Sequence, residues 1–408
     1  MQNDTPKTLS APSTTGLIHH PYTAPAGFEA PQPGVFKAST VYFPTVADMR
    51  QREWKDKSAY TYGLHGTPTT YLLEERLSSL EGGLQCVLVP SGLAALALVA
   101  LAVLKTGDEV LIPDNAYGPN KALADGELRH FGITHRFYDP MDPDDLSRQI
   151  TASTRLVWLE APGSVSMEFP DLPEMVRRCR ARGVLCALDN TWGAGLAFDA
   201  FRLGQTPGGA PFGVDVTIHA LTKYPSGGGD VLMGAVVTRD ATLHHRLKMT
   251  HMRLGLGVGA NDAELVLRGL PSLAVRYAAH DASTRQIAQW LTQQPEVTQV
   301  LHPALPGSPG HAHFLQTCRA AGGLVSMVFE AHRHPSAQVE AFVDALKLFK
   351  IGYSWGGPLS LVMPYELQGM RHHGPLAGMQ GTLVRLAVGL EKVDDLIADL
   401  DQAFRVLR

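Results

Sequence analysis

The chain has 408 residues, 45% of them hydrophobic and 18% charged, with a formal net charge of −4. That length exceeds one ordinary core and calls for two domains plus an appendage, and the apolar and charged shares are those of a globular protein. The small net charge, with no basic block, argues against nucleic acid or an anionic membrane as a partner. The longest apolar run, Leu93 to Leu104, is too short to cross a bilayer and suits a buried helix.

Residues 1 to about 34 are rich in Pro, Ser and Thr and read as a loose tail, without the basic-then-apolar pattern of a signal peptide. Residues 35–65 carry Phe36, Tyr42, Phe43, Trp54, Tyr60 and Tyr62 without periodicity. They read as an arm that buries its aromatics against something, such as another subunit. Leu72 to Leu80 is helix-like and Cys86 to Pro90 a short apolar strand, after which Ser91-Gly92 opens a helix over Leu93 to Leu104. Glu109 to Pro113 and Leu156 to Leu159 predict further strands, and Pro173 to Arg182 a helix leading into the run Val184 to Leu188. Val214 to Leu221 is one more apolar run. This alternation predicts a mostly parallel sheet with helices on both faces.

Beyond about residue 271 the texture changes. A helix over Leu273 to Leu291 is followed by strand-like segments at Val300-Leu301, Gly323 to Phe329 and Leu383 to Val388, a helix over Ala337 to Leu346 and a C-terminal helix from Val393 to Leu407. The predicted organisation is an extended arm over 1–67, a large domain over 68–270 and a smaller α/β domain over 271–408, with no internal repeat. The four cysteines, Cys86, Cys179, Cys186 and Cys318, lack metal-ligand spacing; Cys86 and Cys186 sit in apolar runs and read as packed thiols in a reducing cytoplasm. The pairs His19-His20, His244-His245 and His372-His373 cannot share a helix face and read as surface residues.

Two strand ends carry chemistry. Asp189 closes the run Val184 to Leu188, and Lys223, 34 positions later, follows the run ending at Leu221. Polar residues at the ends of buried parallel strands are where α/β enzymes place their sites. An amine and a carboxylate brought together there suit pyridoxal 5'-phosphate: the amine forms a Schiff base, and the carboxylate keeps the pyridine nitrogen protonated. A structural ion pair, or two unrelated surface residues, is the alternative. Ser91-Gly92-Leu93, at a strand-to-helix junction, offers free N–H groups to a phosphate or is simply a cap, and Thr222 adds a hydroxyl. Tyr117 either stacks on a planar ring or packs in a turn. Arg385, between Val384 and Leu386, needs a carboxylate partner, either from the protein or from a ligand. No Gly-x-Gly-x-x-Gly follows the early strands, which argues against a nicotinamide oxidoreductase.

Taken in order, these segments resemble the cysteine and methionine metabolism family of pyridoxal-phosphate enzymes, of fold type I. Further matches are Tyr62-Gly63, Ser79 to Gly83, Glu160 to Ser164, Arg268 to Leu270, His302 to Ser308, Tyr353 to Gly357 and Gly389 to Glu391. The resemblance implies that Lys223 binds the cofactor and moves protons, Asp189 pairs with the pyridine nitrogen, and Tyr117 stacks on the ring and assists proton transfer. It implies phosphate contacts from Gly92, Leu93 and Thr222, a further cofactor contact at Ser164, and a substrate carboxylate held by Ser354 and Arg385. Tyr62 is implied to reach the phosphate of a neighbouring subunit in a homotetramer of two tight dimers. Tyr353 and Trp355 flank Ser354 where γ-acting relatives tend to carry an acid and a leucine, which favours a carbon–sulfur β-lyase acting on cystathionine. Cysteine desulfhydrase, cysteine-conjugate lyase and γ-acting chemistry are the rival reactions, and a non-catalytic regulatory relative is the rival class. One departure stands out: the family usually has a phosphate-binding arginine where this chain has Leu64, followed by His65. A second is Ala220, where many relatives carry a serine.

Overall fold

The structure, a computed structural model, describes residues 14–22, 24–28, 30 and 32–408. The reading of residues 1–13, 23, 29 and 31 as part of a loose tail falls outside the described residues. The strands are β1 (Gln85–Val89), β2 (Glu109–Pro113), β3 (Thr134–Tyr138), β4 (Thr154–Glu160), β5 (Leu185–Asp189), the short β6 (Gly204–Gln205) and β7 (Pro211–Phe212), β8 (Val216–Ala220), β9 (Gly234–Thr238), β10 (Gln299–Leu301), β11 (Leu324–Glu330), β12 (Lys350–Ile351), β13 (Leu361–Glu366) and β14 (Gly381–Ala387).

A seven-stranded sheet runs β1-β9-β8-β5-β4-β2-β3. Pairing from β8 through β5, β4 and β2 to β3 is parallel, and β9 lies antiparallel to both β1 and β8. Side chains along its strands alternate between two cores, as the period of two requires. Cys86, Leu88, Val157, Leu159, Cys186 and Leu188 enter one. Val87, Val89, Leu156, Trp158 and Ala187 enter the other. Both faces are thus covered, which is why these strands read as continuous apolar runs. A five-stranded sheet, β10-β11-β14-β13-β12, forms the smaller C-terminal domain. Its core joins Val325, Met327 and Phe329 of β11 to Val384 and Leu386 of β14 and to Leu396, Leu400 and Phe404 of the last helix.

The predicted elements are present with shifted ends. The helix expected from Leu72 begins at Pro68, because Thr67 caps it with a reciprocal Thr67–Thr70 bond and Pro68 takes the first turn. The strand at Leu156 extends over Thr154–Glu160. β3, β9 and β13 are not among the predicted strands, nor are the two-residue β6, β7 and β12. β3 is a polar edge strand, THRFY, and β13 contains Pro364. That proline lies past the two positions where β12 pairs, on an edge left free, so no ladder bond is lost.

Within the arm, Leu17 is buried in the main core, whereas Tyr42, Val46, Met49 and Tyr62 are exposed. The arm is anchored at Lys57, whose Nζ lies 2.6 Å from Glu74 and donates to the Cys86 carbonyl at 2.7 Å. The surface reading of the histidine pairs fails at His244. It is buried in the helix Ala241–Leu254, and burial pushes its pKa down to about 4, so it is neutral there. His245, its neighbour, faces outward as expected, so the pair does straddle the helix; one half simply lands on the packed side.

Candidate active site

The C-terminal ends of the parallel strands open onto one cavity of about 580 Å³. β1 leads through Ser91 into the helix Gly92–Val103. The Ser91 hydroxyl accepts the Ala94 N–H at 3.1 Å, while the first N–H groups, those of Gly92 and Leu93, have no intrahelical acceptor. Gly92 packs against β8 so closely that a Cβ there would sit 2.7 Å from the Ala220 Cβ. Glycine is therefore required by close approach, and the helix start is left clear for an anion. Thr222 lines the same end of the cavity.

β2 leads to Tyr117, whose backbone N–H donates to Glu160 Oε2 at 2.7 Å. Glu160 ends β4 and lies in register with Asp189 at the end of β5. Burial pushes both carboxyls up, and each is raised or held in part by its neighbours: Asp189 raises Glu160, while Thr191, His219 and Lys223 partly hold Asp189 down. Asp189 Oδ1 accepts the Thr191 N–H at 3.0 Å. Ser164 donates its N–H to the Asn115 carbonyl at 2.8 Å and also lines the cavity.

Lys223 follows β8. Its Nζ donates to Ser354 Oγ at 2.7 Å and lies 5.3 Å from the centre of the Trp355 ring. Burial, reinforced by Arg385 and opposed by Asp189, lowers its pKa to about 8. Ser354 adopts a φ of 85°, a left-handed conformation uncommon for a side-chain-bearing residue. Its carbonyl accepts from Arg385 Nη2 at 3.2 Å. Arg385 is 7% exposed, and its Nε has no hydrogen-bond partner. Tyr353 is 78% exposed at the cavity mouth.

Lys223, Asp189, Tyr117, Gly92, Leu93, Thr222, Ser164, Arg385, Ser354, Trp355 and Tyr353 therefore share one cavity. Tyr62 does not line it; its hydroxyl accepts from Ser39 Oγ at 3.3 Å and its side chain is exposed. His65, beside Leu64, is engaged within its own chain: it stacks on Trp54 at 3.9 Å and its Nδ1 is 2.8 Å from Thr61 Oγ1. Burial lowers its pKa, so it does not replace an arginine's charge. Sequence reasoning assigned no role to Glu160 or Tyr365. Glu160 carries the signal that marked Asp189, an acid closing an apolar run. Tyr365, whose ring centre is 5.7 Å from the Arg385 guanidinium, lies on the strand hidden by Pro364.

The donor set fits pyridoxal phosphate. An amine with a lowered pKa, a recessed carboxylate, an uncrowded helix start with a neighbouring hydroxyl, and a buried guanidinium with an open donor answer the group's aldehyde, pyridine nitrogen and phosphate and the carboxylate of an amino-acid substrate. Comparison with known proteins agrees. The model of the Cys/Met metabolism PLP-dependent enzyme family matches residues 14–405. Cystathionine β-lyase of Bordetella avium is 39% identical over 370 residues, covering 90% of each chain. Cystathionine β-lyase MetC of Escherichia coli is 36% identical over 374 residues, covering 90% of this chain and 92% of that one. The solved structure of cystathionine γ-synthase from Xanthomonas oryzae pv. oryzae in complex with cystathionine superposes with a TM-score of 0.86 at 31% identity, covering 99% of both chains.

Proposed function

Starting from the Cys/Met metabolism family of pyridoxal-phosphate-dependent enzymes, to which this chain belongs, we propose that it is a carbon–sulfur β-lyase that converts L-cystathionine and water to homocysteine, pyruvate and ammonia. Pyridoxal phosphate, when bound, supplies an electron sink that acidifies the substrate Cα–H bond. Asp189 is the acceptor for the pyridine N–H, and burial at the cavity floor spares that contact competition from water. The Gly92 and Leu93 N–H groups and the Thr222 hydroxyl hold the phosphate, and Ser164 adds a contact at the wall. Tyr117 covers the ring.

Arg385 and Ser354 hold the substrate carboxylate. Lys223 would hold the cofactor through its amine, and with a pKa of about 8 that amine would take the Cα proton near neutral pH and return it to the departing sulfur. Tyr62 of each chain serves the phosphate of a neighbour in a homo-oligomer, consistent with its exposure outside its own cavity. The arm, large and small domains are taken to divide at residues 67 and 270.

The observation that carries β- over γ-chemistry is the pair flanking Ser354. γ-Elimination needs a second deprotonation, at Cβ, whereas β-elimination needs only loss of the Cα proton and the Cβ–S bond. Position 353 is an exposed tyrosine, and Trp355 packs its ring beside the Lys223 amine, so this segment adds no second base. Incubating the holoenzyme with cystathionine and with cysteine, and quantifying pyruvate, 2-oxobutyrate and sulfide, tests the proposal. Pyruvate with homocysteine is expected. 2-Oxobutyrate as the main keto acid would overturn it, as would turnover by Lys223→Ala.

A further inference from the structure

One wall of the cavity, residues 163–168, is held in an unusual conformation. Val165 and Met167 have φ of 68° and 63°, both left-handed. A β-branched residue there is a genuine outlier, and such backbone persists only where its surroundings over-determine it. Four bonds lie within the segment: Ser166 N–H and the Ser166 hydroxyl to the Ser164 carbonyl at 2.8 and 3.2 Å, Met167 N–H to the Gly163 carbonyl at 2.9 Å, and Gly163 N–H to the Glu168 carbonyl at 2.8 Å. From outside, the Asn115 carbonyl accepts the Ser164 N–H, and the remaining bonds that fix its middle come from the small domain. Ser326 on β11 donates its hydroxyl to the Val165 carbonyl at 2.6 Å.

Arg371, in the connection between β13 and β14, supplies the rest. It is 8% exposed and donates to Ser166 Oγ from Nε at 3.1 Å and from Nη2 at 2.7 Å. Nη2 also donates to the Ser164 carbonyl. Nη1 donates to the Met370 carbonyl at 3.0 Å, and Glu168 lies 3.9 Å away. The next two residues reach a second wall. The backbone N–H groups of His372 and His373 donate to Asp114 Oδ2 at 2.6 and 3.0 Å. Asp114 is fully buried, also meets Lys121 at 3.3 Å, and stands three residues before Tyr117. The strands joined by this strap carry Tyr365 and Arg385 into the cavity.

We propose that Arg371 is a positioning residue. Through the strap 371–373, the small domain sets Ser164 and Tyr117, on the large-domain walls, in register with Arg385, which arrives on the small domain's own strand. The clamp itself stands on the hydrogen bonds; its catalytic consequence rests on the reading of the cavity given above.

A planar guanidinium can bridge Ser164 and Ser166 at once, which an ammonium cannot do with the same geometry. In Arg371→Met, amide exchange of Ser166 and Met167 in the apoprotein should rise at least about tenfold while that of β4 and β5 stays unchanged. In the holoenzyme, kcat should fall about 100-fold, the scale of a small misplacement of reacting groups, with KM moving less than about threefold. Arg371→Lys should recover part of kcat. If Arg371→Met does not fold, Ser166→Ala decides the matter: it keeps the arginine and its Ser164 contact, removes the hydroxyl that accepts from Arg371 and donates to the Ser164 carbonyl, and should lower kcat about tenfold. Unchanged exchange in 163–168 would overturn the clamp. Raised exchange with kcat and KM intact would overturn the positioning role. Failure of the wild-type protein to bind pyridoxal phosphate would instead sink the cofactor reading and leave the exchange result standing.

Discussion

Arg385 should stabilise catalysis at the expense of the fold, and the two effects separate in one variant. It lies in the centre of the small sheet, opposite Ser326 of β11 and Met363 of β13. Its Nε is buried without a partner, its Nη2 donates to the Ser354 carbonyl, the Tyr365 side chain is a further partner of the guanidinium, and among the described residues no carboxylate pairs with it. Burial lowers its pKa, with Tyr365 and Tyr117 opposing. Arg385→Met keeps the length and removes the charge. Relieving a buried unsatisfied donor returns about 1–3 kcal/mol, and losing the Ser354 contact takes back part of it, for a net gain of about 1 kcal/mol in the apoprotein. That corresponds to a rise of roughly 2 °C in a chain of this size. Substrate binding should suffer far more. Two charge-assisted bonds to a carboxylate contribute about 3–6 kcal/mol together. At 1.4 kcal/mol per decade, kcat/KM should fall by about 10² to 10⁴. Calorimetry and steady-state kinetics read the two effects. A variant that loses more than about 2 kcal/mol of stability yet keeps its kcat/KM would show that Arg385 is a structural cation, not a carboxylate site.

Four further outcomes follow from the structure. Only the neutral Lys223 amine can react with pyridoxal phosphate, so capture by the apoenzyme should rise with pH and level off above about 8, and Arg385→Met should move that plateau upward; a profile still climbing towards the ordinary lysine value of 10.5 would refute the lowered pKa. Because the folded value lies below the unfolded one, Lys223 costs stability fully below pH 8 and the cost fades between about 8 and 10.5, so apo Lys223→Met should gain most near pH 7. Leu64→Arg should tighten cofactor binding by about 10- to 100-fold, one charge-assisted bond, read by absorbance titration; an unchanged dissociation constant would show that the cradle already has its charge. Lys57→Met removes the ion pair to Glu74, which keeps the Leu88 N–H, and the bond to the Cys86 carbonyl, and should cost about 1–3 kcal/mol in denaturant unfolding; an unchanged stability would mean the arm is anchored elsewhere.

Most of the site was legible in the sequence because the large sheet makes it so. Strands buried on both faces are continuous apolar runs, and a polar residue that closes such a run has to emerge at a strand end. Asp189 and Lys223 carried that signal on adjacent parallel strands, β5 and β8, whose pairing brings their ends together. Glu160 carried it too, on the neighbouring β4, and its bond to the Tyr117 backbone shows why an acid is useful there although it was given no role. What stayed hidden has a different physical character. Tyr365 and Arg371 act through antiparallel strands and a connection in the small domain, where side chains alternate and local composition says little about which loop lies across the cleft. Arg371 and Ser166 are 205 positions apart, and no periodicity links them.

The hidden part is also where the two domains are joined, and this bears on how the pair Asp189 and Lys223 works. Both belong to the large domain: Asp189 ends β5, and Lys223 lies in the turn that follows the neighbouring β8. Two of the amine's partners do not: Ser354, which accepts from Nζ, and Arg385, which adds to the lowering of its pKa by burial, both come from the small domain. A Lys223 detached from the small domain would keep its distance to Asp189 but lose its hydrogen bond and the neighbouring charge that favours the neutral form. Its pKa would then rise towards 10.5, and the fraction of neutral amine at pH 7 would fall. The small domain thus contributes to the state of the amine, alongside burial in the cavity. A variant that loosens the strap, such as Arg371→Met, should therefore shift the pH profile of cofactor capture to higher pH, in the same direction as Arg385→Met although the charge at Arg385 is untouched. A capture profile unmoved by Arg371→Met would show that Ser354 and Arg385 reach Lys223 without help from the strap.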